Sequence, residues 1–279
     1  MNGFGGTGSV KKPVRRSAVR IWLGARLRTL MRYAYWYLSR TRFASVRLSE
    51  DLPVVVAEHH TPLYRPLRGV DLWMQHNKVR NLRLAVGRLD GIVVRPGETM
   101  SFWRLVGKPS KRKGYVPGMV LFYGTVRPGI GGGLCQLTNL IYWLALHTPL
   151  SVVERHRHSY DVFPDAGRTQ PFGSGATCAY NYIDLQIYNP TDRPYQLRLR
   201  VTDSHLVGQW RTVEPPRYRY EVYEADHRIE RQPWGVYTRH NVIRRRVILV
   251  ETGETVADEF VTSNDAIMMY EPMLPPGPG

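Results

Sequence analysis

Three consecutive glycines, Gly131-Gly132-Gly133, lead straight into residues 134–147, a stretch that is apolar on nearly every side. Burying such a stretch removes a large apolar area from water, and only glycine lets the backbone ahead of it turn freely into left-handed geometry. The pair therefore predicts a sharp turn feeding a buried helix, stopped by Pro149 because proline disfavours helical geometry in the residue before it. The rest of the chain has to be built around that helix.

The first turn of a helix carries N–H groups that no helical carbonyl satisfies, at the positive end of the macrodipole. Cys135 falls there, so its thiolate is expected to be stabilised and its pKa lowered, which makes it a candidate nucleophile. The turn formed by Gly131, Gly132, Gly133 and Gln136 supplies the amides expected to hold the oxyanion of a tetrahedral intermediate. A cysteine nucleophile works with a histidine that moves its proton, and His156 and His158 are the nearby candidates. If residues 154–159 form a strand, both imidazoles share one face while Arg155 and Arg157 share the other. Arg155, Arg157 and Ser159 are then expected to contact an anionic substrate. The group that orients the imidazole stays open among Asp161, Asp165, Asp184 and Asn181. A zinc site from Cys135, Cys178, His156 and His158 is a weaker alternative, since no Cys-x-x-Cys pair is present. No cofactor is expected.

Periodicity predicts helices over residues 17–39 and about 70–86. Strands are expected at 92–94, 184–187, 196–201, 219–223 and 242–250, with further extended segments at 115–126 and 151–158. Residues 51–66, with Pro53, Pro62 and Pro66, read as a connector. The result is an α+β chain with a β-rich core, a buried central helix after the Gly-rich turn, and helices in front. Met1 to Val10 and the tail from Pro275 are expected to be frayed.

The net charge of +16 lies largely at the front, where basic residues from Lys11 to Arg47 oppose a single acid, Glu50. Leu23, Leu27, Leu30, Met31, Ala34 and Leu38 fall within one arc of the first helix. A basic amphipathic helix of this kind either lies on an anionic membrane surface or packs its stripe on the protein's own core. No RNA-reading signature or zinc-finger spacing is present, so no nucleic-acid partner is expected. Arginines interrupt every apolar run that would be needed for a secretory signal or a membrane span, which leads to the expectation of a cytoplasmic chain, peripheral at the membrane.

The series Pro96-Gly97-Glu98-Thr99, Ser101-Phe102, Gly107, Gly114-Tyr115, Gly131-Gly132-Gly133-Leu134-Cys135-Gln136, Glu154-Arg155-His156-Arg157-His158-Ser159, Gly175-Ala176-Thr177 and Asp184-Leu185 resembles the motif series of the VanW family over about residues 90–200. The flanking residues resemble its short stand-alone members, found in glycopeptide-resistance gene clusters, whose role has been treated as accessory. The resemblance implies vancomycin resistance and cell-wall metabolism, with a peptidoglycan precursor or peptide stem as partner. Some larger proteins with a related domain are peptidoglycan L,D-transpeptidases that use the motif cysteine. By carry-over, Cys135 is the nucleophile, His158 the base and His156 a support. Where longer members show Gly-x-Asp-Ala-Thr, this chain has Gly173-Ser174-Gly175-Ala176-Thr177, without the aspartate. That departure keeps open a non-catalytic accessory protein that binds a wall precursor. The implied organisation is a basic extension (1–50), a connecting helical segment (51–89), the VanW-type core (90–212) and a β-rich C-terminal segment (213–279).

Overall fold

The computed structural model describes residues 17–65, 71–122, 124–162 and 170–272. The expected frayed ends and Asp165 lie outside these. The chain begins with helix α1 (Ala18–Leu38), strands β1 (Arg42–Phe43) and β2 (Val54–Pro62), and helix α2 (Leu72–Leu89). Strands β3 (Val93–Val94) and β4 (Glu98–Ser101) lead to the short helix α3 (Phe102–Val106) and a hairpin, β5 (Pro117–Phe122) with β6 (Thr125–Ile130). Helix α4 (Cys135–Leu146) follows, then β7 (Ser151–Glu154), β8 (Tyr160–Asp161), β9 (Gln186–Tyr188), β10 (Tyr195–Val201) and β11 (His205–Thr212). Three long strands close the chain, β12 (Tyr218–Arg231), β13 (Tyr237–Leu249) and β14 (Thr255–Met268). The expected α+β class holds.

Helix α4 is the centre of the core. Leu137, Leu140, Ile141 and Leu144 are fully buried, and the helix lies against β2, β7 and β11. Each such leucine contributes roughly 1.5–3 kcal/mol by leaving water. The close approach is possible because β11 carries Gly208 opposite the helix, where an added Cβ would fall 2.8 Å from Leu144 Cδ1. Strand order is β2-β11-β10-β3 in one sheet, β1-β4-β9-β7 in a second and β12-β13-β14-β8 in a third.

Residues 51–66 are not the expected connector. β2 pairs antiparallel with β11 from Val54↔Thr212 to Pro62↔His205. Its prolines misled the reading, yet Pro53 precedes the strand and Pro62 ends it, on the sheet edge where a missing N–H costs least. Helix α2 also passes the expected stop at Gly87 and ends at Leu89. After β7 the anticipated strand over 154–159 does not form; His156 makes a single bridge to Thr177.

Helix α1 is capped as its sequence suggests, with Ser17 Oγ accepting from the Arg20 amide and the Ser39 amide donating to Tyr35 O. Its orientation is not that of a stripe packed on the protein's own core. Leu23, Leu27, Leu30, Met31, Ala34 and Leu38 all face outward, while Trp36 is buried. Arg32 turns inward and binds the Glu154 carboxylate through both Nη atoms, at 2.6 and 2.5 Å. Tyr33 shares a 2.6 Å hydroxyl contact with Tyr180, and Arg28 lies over the Tyr182 ring. The helix is thus held by polar contacts from its inner side.

Candidate active site at the start of helix α4

Packing and backbone geometry together demand glycine in this turn. Gly131 and Gly133 have φ of +75° and +93°, a region L side chains rarely enter. Gly132 lies against the backbone of Gly118 in β5, and a Cβ on Gly133 would meet the Lys78 side chain. From α2, fully buried Asn81 donates to Gly132 O at 2.9 Å and Val116 O at 3.0 Å, and it accepts from the Val116 amide. Lys78 donates to Leu63 O at 2.5 Å, and burial pulls its pKa down to about 8.

The expected oxyanion donors need revision. The amides of Gly131, Gly132 and Gln136 already donate to Val116, Gly129 and Gly133 carbonyls, and the Gln136 side chain reaches away to Thr61 Oγ1 and Pro62 O. Among the described residues, the amides of Gly133, Leu134 and Cys135 donate to no backbone carbonyl. These are the free donors at the helix start.

Half-buried Cys135 meets a compact set of polar partners. Its Sγ lies 3.5 Å from Thr177 Oγ1, 3.9 Å from Cys178 O and 4.0 Å from Cys178 Sγ. Thr177 Oγ1 is in turn 3.5 Å from His158 Nδ1. A hydrogen bond from Cys178 holds the Cys135 thiol well below its ordinary pKa; burial opposes this, and His158 and Thr177 reinforce it. Cys178 moves well above the usual range, because it is buried and faces the Cys135 sulfur. Of the two sulfurs, Cys135 is the one whose surroundings favour the thiolate.

Helix α4 also positions the opposite wall. Thr138 Oγ1 donates to Ala176 O at 2.6 Å, and Asn139 Oδ1 accepts from the Ala176 amide at 2.7 Å, which fixes Thr177 and Cys178 against the sulfur. The same Asn139 explains the absent aspartate. A Cβ on Gly175 would lie 2.6 Å from Asn139 Oδ1, so the amide fills the space a side chain at position 175 would need.

The remaining candidates serve other ends. His156 is exposed and pairs with Glu154 Oε1 at 3.0 Å, away from Cys135, because the strand that was to align the two imidazoles is missing. Arg155 is not a free substrate contact: it donates to the carbonyls of Gly173 and Gly175 and to Thr262 and Asn264 of β14, with Tyr142 under its guanidinium. Arg157 lies over the Phe172 ring, and burial lowers its pKa to about 10. Ser159 is exposed, and its carbonyl accepts from the Ile267 amide.

None of the described candidates for orienting the base bonds to His158. Asp184 is fully buried, accepting from Ser101 Oγ at 2.6 Å and the Trp103 amide at 2.9 Å, and burial pushes its pKa up to about 6. Asp161 binds Arg239 and Tyr270, and Asn181 donates to Thr29 O. Among the described residues, no group of three or more His, Cys, Asp or Glu is placed to hold a metal ion. Sequence reasoning considered Cys178 only as a zinc ligand and assigned no role to Thr177, Asn81, Thr138 or Asn139. The available signal was the Ala176-Thr177-Cys178 run; nothing local marks the polar residues on α2 and α4.

A family model described as VanW like protein matches residues 77–211. The chain is 34% identical over 221 residues to the vancomycin B-type resistance protein VanW of Enterococcus faecalis, covering 79% of this chain and 80% of that protein. It is 28% identical over 172 residues to the uncharacterized protein YoaR of Bacillus subtilis, covering 60% of this chain and 55% of that one. No solved structure matches the chain.

Proposed function

The chain belongs to the VanW family, and on that premise we propose that it acts in vancomycin resistance through cell-wall metabolism, as a cysteine-dependent acyl transferase on peptidoglycan stem peptides. One observation carries this reading: the Cys135 sulfur, at the start of α4, lies among Thr177, Cys178 and His158, which favour its thiolate.

In the proposed reaction Cys135 Sγ attacks a peptide carbonyl, and a C–S bond forms as the carbonyl oxygen takes the negative charge. The amides of Gly133, Leu134 and Cys135 receive that oxyanion. As the C–N bond breaks, the leaving amine takes a proton from protonated His158, which leaves an acyl thioester. An acceptor amine then attacks the thioester, His158 removes its proton, and the Cys135 thiolate is released. Incubation with a wall stem peptide should add one acyl group to Cys135 by intact mass, and Cys135→Ala should abolish the adduct while the protein stays folded. Unchanged transfer by Cys135→Ala would overturn the proposal.

A non-catalytic binder of a wall precursor is the second reading. It is favoured because, among the described residues, no carboxylate or amide hydrogen-bonds His158. Under it, Cys135→Ala leaves both stem-peptide binding and the resistance phenotype intact.

A further inference from the structure

The sorting of residues on α1 is the reverse of what a helix packed only on its own protein shows. Leu23, Leu27, Leu30, Met31 and Leu38 are 55 to 82% exposed, Val19 and Tyr37 are exposed on the same side, and exposed Trp22 lies at its flank. The inner side holds Arg32, Tyr33 and Trp36. We propose that α1 is a docking surface that lies in the headgroup layer of an anionic lipid bilayer, with its leucine face toward the acyl chains.

Charge selects this occupant. Arg20 and Arg26 stand within the exposed face, Arg28 and Arg40 flank it, and α1 contains no acidic residue. Two copies of the chain meeting through this face would oppose arginine with arginine, since a two-fold interface pairs a patch with itself. An anionic headgroup layer satisfies those arginines while the leucines enter the apolar boundary, and Trp22 and Tyr37 have the amphipathic rings suited to that depth. The helix is about 30 Å long and lies flat in this arrangement. No helix among the described residues is long and apolar enough to cross a membrane.

The contact would also orient the candidate site. The inner side of α1 is fastened to Glu154, Tyr180 and Tyr182, and the segment holding Tyr180 and Tyr182 directly follows Thr177 and Cys178. Docking by α1 therefore fixes the height of the Cys135 wall above the lipid surface.

Co-sedimentation of the full chain with vesicles tests this without any measurement at Cys135. Binding is expected to vesicles of mixed phosphatidylglycerol and phosphatidylcholine, to weaken with salt, and to be far weaker with phosphatidylcholine alone. The triple variant Leu23→Glu/Leu27→Glu/Leu30→Glu, and separately Arg20→Gln/Arg26→Gln, should each lower partitioning roughly tenfold or more. A blue shift of tryptophan fluorescence on binding that Trp22→Phe abolishes gives a readout in the otherwise unaltered protein. Three outcomes would overturn the proposal: no binding to anionic vesicles, binding that the triple leucine variant leaves unchanged, or a dimer in solution that the same variant dissociates and that binds no lipid.

Discussion

Cys135 and Cys178 touch, yet the protein drives their protonation in opposite directions. Reaction with iodoacetamide follows the thiolate fraction, so Cys135 should reach its plateau labelling rate at lower pH than an ordinary cysteine, while Cys178 stays slow. At pH 7 the difference is expected to be roughly tenfold or more, read by peptide mass spectrometry. Cys178→Ala removes the principal donor to the Cys135 sulfur, so the midpoint of its labelling profile should move to higher pH. An unmoved midpoint would mean that His158 and Thr177 suffice. A second residue-scale prediction concerns the crowded pair Gly175 and Asn139. Gly175→Asp alone should destabilise the protein by about 1–3 kcal/mol through overpacking. Combined with Asn139→Ala it should cost less than the sum of the two single changes, which a double-mutant cycle in urea measures.

Among the elements, α4 and the turn before it were legible because their signals are local: a glycine run, an apolar stretch and a terminating proline. The ends of α1 were equally plain from Ser17 and Ser39. β2 was obscured by its prolines, and its strand character comes from β11, a partner far along the chain. The failure of residues 154–159 to continue as a strand has a similar origin. Glu154 is held by Arg32 of α1 and by Gln186 of β9, and the backbone beyond it leaves the sheet to bridge Thr177. No periodicity within six residues encodes that diversion. It left Cys135 and His158 linked through Thr177, while His156, Arg155 and Arg157 took other contacts. The turn itself can be tested. Gly133→Ala places a side chain at φ +93° and against Lys78, so a loss of about 2 kcal/mol or more is expected. Thermal melting would show this, and Cys135 labelling should lose its advantage over Cys178.

At the scale of the whole molecule, the sequence reading assigned chemistry to the middle of the chain and treated its two ends as appendages. Contacts tie both ends to the middle instead. From the front, Arg32 and Tyr33 brace Glu154 and Tyr180. From the back, Thr262 and Asn264 hold Arg155, which grips Gly173 and Gly175, while Asn241 donates to Phe172 O and receives Asn264. The contacts that hold the middle of the chain therefore extend beyond the borders of the family-model match. A chain cut after Thr212 would retain every residue of the 77–211 match, yet the loop preceding Thr177 would be released from its clasp. In such a shortened protein, limited proteolysis should open that loop first, and recognition by ancestry would outlast the arrangement it is taken to signify.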